Sequence, residues 1–504
     1  MGRNDTEGTR TMTDSRPDRG RRSRSTWLGA VGAICAIAIL SGALIAAGST
    51  GINGPTPAPG AAVGSPSAAT PTSGLIAGAL VVPATPVTTA PPTAVPAACA
   101  ADSGTAPAST ATEAMIAKYT AALKANPGDH DSLLYLGLSY YQHARETADP
   151  TDYNRADEAF QQLLTVNPDD VEALIGHGTI ALARHQFASA LAIGQQALAL
   201  DPHTANIYGV LGDAQNELGL YDQAQASVDA MARMRPDLSS YSRVSYVREL
   251  HGDLPGAISA MALAIEAGGP VPENTGYLRV ILGNLQFTAG DLQKADGAYR
   301  TELQLEPGYV FALAGVSRVS AARGDLDQAI ACYKVAADRV PFPEFLIAEG
   351  EAQQAAGRDQ DSRKTYALVR QIEALFAANG VNTDLDLALF ESEHGDPATA
   401  LTLAQTAYAA TPTIKAADAL GWALYQNGQF AQARTYADEA LRLGYKDPSY
   451  TYHAGMIAKA QGDDAQARSW LQQSLAANPM WSPLYAPRAA AALAELGGAA
   501  GTQP

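Results

Sequence analysis

Side chains able to do acid–base, nucleophilic or metal chemistry are thinly spread along this chain of 504 residues. The eight histidines are His130, His143, His177, His185, His203, His251, His394 and His453. His177, His185 and His203 fall nearest one another, and they read as one half-buried packing residue and two surface turn residues rather than as metal ligands. Of the three cysteines, Cys35 lies in an apolar run, and no CxxC or Cys/His group has zinc spacing. Cys99 and Cys332 could pair only if a long linker folded back along the chain. They are therefore read as unpaired thiols, with Cys332 packed inside a helix. The sequence holds no HExxH, GxxxxGK[ST], GxSxG or EF-hand loop. Gly176-His177-Gly178-Thr179-Ile180-Ala181 fits G-x-G-x-x-A, but a dinucleotide site needs a strand before the glycines, and here a helix is expected throughout. No catalytic, cofactor-binding or metal-binding residue emerges, and the reading is of a non-enzymatic chain.

The carboxylates have a simpler use. They gather at Asp169-Asp170, Gly252-Asp253, Gly290-Asp291, Gly324-Asp325 and Gly462-Asp463-Asp464. At helix starts they accept hydrogen bonds from free backbone N–H groups and face the positive end of the helix dipole. Residues 102–504 carry 27 basic and 47 acidic residues, a net charge of −20. A body so acidic repels nucleic acid and anionic lipid heads and favours a basic partner.

The elements that position these groups differ sharply along the chain. Residues 1–26 form a basic tail with seven arginines. Residues 27–47, Trp27 to Ala47, carry no charge and no proline, and 21 residues suffice to cross a hydrocarbon core of ~30 Å. The arginines ahead of this run place the N-terminus in the cytoplasm and all that follows outside it. The run exceeds the usual signal-peptide core of roughly 7–15 residues, so an uncleaved anchor is expected; cleavage before Gly48, giving a secreted protein, is the alternative. Residues 48–110, rich in Pro, Ala and Thr, bury too little to offset their ordering entropy and read as a disordered tether.

Beyond the tether a repeat dominates. Pro168, Pro202, Pro236 and Pro270 are spaced 34 apart, as are Pro307 and Pro341; Pro127, Pro412 and Pro479 end similar segments. In Asn206–Pro236 a first apolar helix carries Tyr208, Leu211 and Gly212, Gly219 marks a turn, a second helix carries Ala224, Val228 and Met231, and Pro236 stops it. Small residues at Gly212 and Ala224 let two helices approach closely, and the proline lacks the N–H that would continue the helix.

This pattern resembles the tetratricopeptide repeat (TPR). Other copies are marked by Gly137 with Phe160, Gly178 with Ala190, Gly283 with Tyr299, Leu313 with Tyr333, Gly350 with Tyr366, Gly395 with Ala400, Gly421 with Ala433, and Gly455 with Ala467. The resemblance implies an all-α fold over residues 111–497: a TPR-type α-solenoid, a right-handed superhelix of about ten antiparallel helix pairs. Lone helices at 113–126 and 486–496 would cap its ends, and 498–504 would be a disordered tail. Residues 239–266 and 372–384 depart most from the pattern, where a bend is possible. The resemblance also implies a groove lined by the first helices. Its ligand-facing positions include Leu138, Tyr141, Gln142, Asp213, Asn216 and Glu217. The strongest candidates for partner contact are Asn284, Arg318, Asp418, Trp422, Tyr425, Tyr452, Met456 and Lys459, and packing between repeats is the competing use of Trp422, Tyr425, Tyr452 and Met456. The function expected is protein or peptide binding by a membrane-held scaffold, or by a non-catalytic subunit of an envelope enzyme or export complex.

Overall fold

The computed structural model of the protein describes residues 108–269 and 272–499. Among them the chain forms 22 helices and no strand. Two stand singly, α1 (Ala108–Ala125) and α22 (Tyr485–Ala499). Between them lie ten antiparallel hairpins. The first five pair α2 (His130–Thr147) with α3 (Thr151–Val166), α4 (Val171–Ala183) with α5 (Phe187–Leu200), α6 (Ala205–Glu217) with α7 (Tyr221–Met234), α8 (Leu238–Leu250) with α9 (Leu254–Ala267), and α10 (Pro272–Thr288) with α11 (Leu292–Leu305). The second five pair α12 (Val310–Ala322) with α13 (Leu326–Arg339), α14 (Pro343–Ala355) with α15 (Asp359–Ala378), α16 (Asp384–His394) with α17 (Pro397–Ala410), α18 (Ile414–Gln426) with α19 (Phe430–Ala440), and α20 (Pro448–Ala460) with α21 (Asp464–Ala477). The basic tail 1–26, the apolar run 27–47 and nearly all of the linker 48–110 lie outside the described residues. No described helix is long and apolar enough to cross a membrane.

Local chemistry sets the helix starts. Asp170, Asp253, Asp291, Asp325 and Asp463 each precede a helix and accept from the backbone N–H of its first turn, as the acidic turns led one to expect. Packing between helices turns on glycine. The Phe160 ring lies between the backbones of Gly137, on its own hairpin, and Gly176, on the next. A Cβ at Gly176 would stand 2.4 Å from that ring, and one at Gly137 would stand 2.7 Å from it. Glycines 176 and 178 therefore serve close helix approach inside α4, and the dinucleotide pattern has no strand to complete it.

Two irregular stretches resolve differently. Over 239–266 the hairpin α8–α9 is regular; what departs from the pattern is its polar interior. Asp213 and Arg243, each 3% exposed, form a bidentate pair with Nε–Oδ1 at 3.0 Å and Nη2–Oδ2 at 2.7 Å. Buried Ser239 accepts from the same guanidinium. Over 372–384 the second helix α15 runs to 20 residues before the short α16. The expectation of an unpaired Cys332 is corrected: its sulfur is disulfide-bonded, deep in α13. Spacing along the sequence carries no signal for that proximity.

The solenoid closes on itself. Turns inside the second to fifth hairpins dock onto loops between hairpins five repeats further on. The Asn382 N–H donates to the Arg184 carbonyl at 3.0 Å, and Gln186 donates to the Gly380 carbonyl. The Ile414 N–H donates to the Tyr221 hydroxyl at 2.9 Å, beside a buried cluster in which Tyr246 donates to Glu217 at 2.7 Å and Lys415 reaches both. Asn478 donates to the Phe287 carbonyl at 2.7 Å. This seam turns a curved ribbon into a closed coil around an inner space.

Candidate binding cavity

The inner space of the later repeats is a cavity of about 340 Å³, lined chiefly by the first helices α10, α12, α14, α16 and α20, with Asp418 of α18 and the start of α22. That placement follows from hairpin geometry, since first helices take the inside of the curve. Aromatic side chains such as Phe311, Phe345 and Phe390 supply its apolar walls. Its charge is one-sided. Seven carboxylates line it, Glu344, Glu351, Glu373, Asp386, Glu393, Asp418 and Asp447, against the guanidinium of Arg318 and the imidazole of His453.

One set of these acids is internally satisfied. His453 Nδ1 meets Asp418 Oδ2 at 3.0 Å while its ring stacks on Trp422. The opposite nitrogen lies 3.8 Å from Glu393 Oε1. His394 Nε2 lies 3.3 Å from Glu351 Oε1 and 3.6 Å from Glu393 Oε2, its ring stacked on Tyr366. Carboxylates and imidazoles thus alternate as Glu351–His394–Glu393–His453–Asp418. Burial alone would lower the pKa of His453, but Asp418 and Glu393 outweigh it and raise it to about 9. Burial would likewise lower that of His394, and Glu351 raises it. Glu351, Glu393 and His394 bring ligand atoms within 4.8 Å of one another and are, among the described residues, the set that could hold a metal ion.

A second set is not satisfied. Both carboxylate oxygens of Glu344 and Oε2 of Glu373 are buried without a hydrogen-bond partner. Glu373 is only 2% exposed. Burial raises its pKa to about 9, helped by the nearby charges of Asp386 and Glu344. Burial raises that of Glu344 to about 8, and burial also raises that of Asp386.

The partner-contact candidates divide between cavity and core. Asn284, Arg318 and Asp418 line the cavity. Asn284 accepts from the Tyr299 hydroxyl at 2.7 Å, and the Arg318 guanidinium lies over the Phe287 ring at 4.0 Å. Trp422 and Tyr452, each 3% exposed, belong to the C-terminal core, with half-buried Tyr425 and Met456 packed against it; Trp422 and Tyr425 stack with centroids 4.6 Å apart. Lys459 pairs with Glu495 of the final helix. Among the earlier groove positions, Asp213 is engaged with Arg243 and Glu217 with the seam. His177 meets Asp157 at 2.6 Å and His185 an Asn382 carbonyl at 2.8 Å, so the three histidines do not converge. Sequence reasoning missed Glu344, Glu373, Asp386 and the histidines 394 and 453. The only signal for the three acids was the acidity of the chain, already assigned to helix caps, and the two histidines stand 59 residues apart in the sequence.

Tetratricopeptide-repeat family models match residues 141–205 and 419–479, and a second such model matches 181–245. The matched residues lie in both halves of the solenoid. Over 221 residues the chain is 25% identical to cellulose synthase 1 operon protein C of Komagataeibacter xylinus, covering 43% of this chain and 14% of that protein. Over 362 residues it is 26% identical to cellulose synthase operon protein C of Xanthomonas axonopodis pv. citri (strain 306), covering 68% of this chain and 20% of that protein. The chain therefore matches a fifth or less of the length of these relatives. The crystal structure of YrrB, a TPR protein with an unusual peptide-binding site, aligns at TM-score 0.28 and 20% identity over 40% of this chain and 99% of that one. The type IV pilus biogenesis factor PilW aligns at TM-score 0.35 and 16% identity, over 40% of this chain and 92% of that one.

Proposed function

We propose that these repeats form a non-enzymatic scaffold whose inner cavity receives a segment of a protein partner, basic in character. The observation that carries this reading is the cavity itself, lined by the first helices of successive repeats and dominated by carboxylates. An acidic, aromatic hollow suits an inserted basic peptide. The scaffold is held outside the cytoplasm by residues 27–47, or is secreted if that run is cleaved. The Cys332 disulfide supports an oxidising compartment, where such bonds persist.

The test is site-specific crosslinking of the purified chain in an envelope extract. Photo-reactive groups at Asn284 or Leu389, inside the cavity, should capture one defined partner. A group at exposed Leu263, outside it, should not. Equal capture from both places removes the cavity as the binding surface. Topology is read separately, by protease access to the repeats in intact and in lysed cells.

The likeness to two cellulose synthase operon proteins supports a second reading, a non-catalytic subunit of an envelope enzyme. Co-purification of the chain with a glycosyltransferase from detergent-solubilised membranes would favour it. Recovery of the chain free of any such enzyme would count against it.

A further inference from the structure

We propose that the cavity is a binding site for a cationic group, a protonated amine or a guanidinium, held by Glu373 and Glu344. This rests on the scaffold reading above, in which the cavity is the partner's seat, and it names the chemistry that the seat selects.

A carboxylate taken out of water without a donor is costly, and proteins relieve that cost by pairing or by protonation. The first remedy is visible in this cavity. Glu351, Glu393 and Asp418 are paired with imidazoles. Glu373, on α15, has no such partner: it is 2% exposed, lines the cavity and leaves Oε2 without a donor. Glu344, on α14, lines the same cavity with both oxygens unpartnered, and Asp386, at the start of α16, stands close enough to act on both electrostatically. Three acids from three helices therefore face one space; His185 and Lys415 act on Asp386, while Glu344 and Glu373 have no cation acting on them.

Among the described residues the set that could hold a metal ion is Glu351, Glu393 and His394, and Glu373, Glu344 and Asp386 are not part of it. An ammonium offers three donors and a guanidinium five, enough to span separated carboxylates. Phe345 and Phe390 line the same cavity, and aromatic rings attract a partly desolvated cation. Such a group reaches the cavity either on a lysine or arginine of the partner or as a free polyamine.

The experiment is calorimetric titration of the full-length chain with three probes: spermidine, a capped peptide bearing lysine and arginine, and the same peptide with glutamate in their place. A cationic probe should bind, the glutamate peptide should not, and E373Q and E344Q should each weaken binding about tenfold. Spermidine binding alone assigns the site to a free polyamine, and peptide binding alone assigns it to a partner side chain; either supports the site. Failure of both cationic probes, or affinities unchanged in both variants, overturns it. Amide replacements keep the side-chain volume, and thermal unfolding of each variant shows whether lost binding reflects lost structure. If the double variant E344Q/E373Q keeps its crosslinked partner with unaltered affinity, the scaffold reading stands and the cationic site falls.

Discussion

Gly252 and Gly444 meet across the seam so closely that a Cβ on Gly252 would stand 2.1 Å from the Gly444 carbonyl oxygen. Gly252 also has a φ of +74°, which side chains resist. Gly462 has the same backbone conformation, φ +77°, in the equivalent turn of the last hairpin, but nothing lies within 4 Å of a Cβ there. The two positions separate the turn from the seam. Gly462→Ala should cost about 1 kcal/mol, the strain of the turn alone. Gly252→Ala should cost roughly 1–3 kcal/mol more, and should enlarge the radius of gyration as the coil opens. Denaturant unfolding and small-angle scattering check both. Equal costs with unchanged size would mean that the seam contributes nothing to closure.

Gly176→Ala tests the glycine pattern that resembles a nucleotide loop. Its Cβ would enter the Phe160 ring, so the loss should be about 1–3 kcal/mol through overpacking. Phe160→Leu removes the clash at the expense of a void, and in combination the two changes should cost less than their sum. A double-mutant cycle by thermal unfolding measures this. Strict additivity would show that the ring and the glycine do not share a packing constraint.

The buried pair of Asp213 and Arg243 predicts an asymmetric response. Burial raises the pKa of Asp213 to about 6 even against the guanidinium, which marks how dry the site is. Arg243→Met leaves that carboxylate stranded and should cost about 3–5 kcal/mol, whereas Asp213→Leu with Arg243→Met should cost much less. Urea unfolding of the three variants checks the order. A single variant as stable as the double one would count against a buried charge pair.

What the sequence made legible follows from range. Hairpins, caps and turns depend on contacts between neighbours along the chain, and prolines 34 apart and small residues such as Gly212 and Ala224 report those contacts directly. Closure depends on the curvature summed over five repeats, and no residue encodes it alone; Gly219, Gly252 and Gly290 read simply as turn glycines, yet they are also the seam. The same limit hid the cavity. Trp422 and Tyr452 look like interface residues but fill the core between neighbouring repeats. Glu373 sits on a second helix, a position the repeat pattern assigns to the outside. The lengthened α15 and its late repeats bring Glu373 to the inner space, beside acids from other hairpins.

The unsatisfied acids make stability fall as pH rises. Glu373 ionises near 4.5 when unfolded and at about 9 when folded, so between these values the folded chain holds a proton that the unfolded chain has lost. Stability from this group is fully present below the lower value and is lost as pH climbs toward the upper one. Glu344, raised to about 8, and Asp386, also raised, face Glu373 and act in the same sense. His453, raised to about 9, adds to it, since its stabilising charge is lost over the same upper range. The contribution of these groups to the unfolding free energy should therefore decline from about pH 4.5 to about pH 9. Glu373→Gln removes a group that cannot ionise comfortably in the fold. Its decline should be shallower by about one proton, or roughly 1.4 kcal/mol per pH unit at most, and it should be the more stable protein at the alkaline end. A saturating cationic ligand should flatten the parent's decline in the same way, because it supplies the counter-charge that Glu373 lacks. Urea unfolding across this range, with and without spermidine, measures both effects. A Glu373→Gln slope matching that of the parent would mean that this carboxylate is not held protonated in the folded cavity.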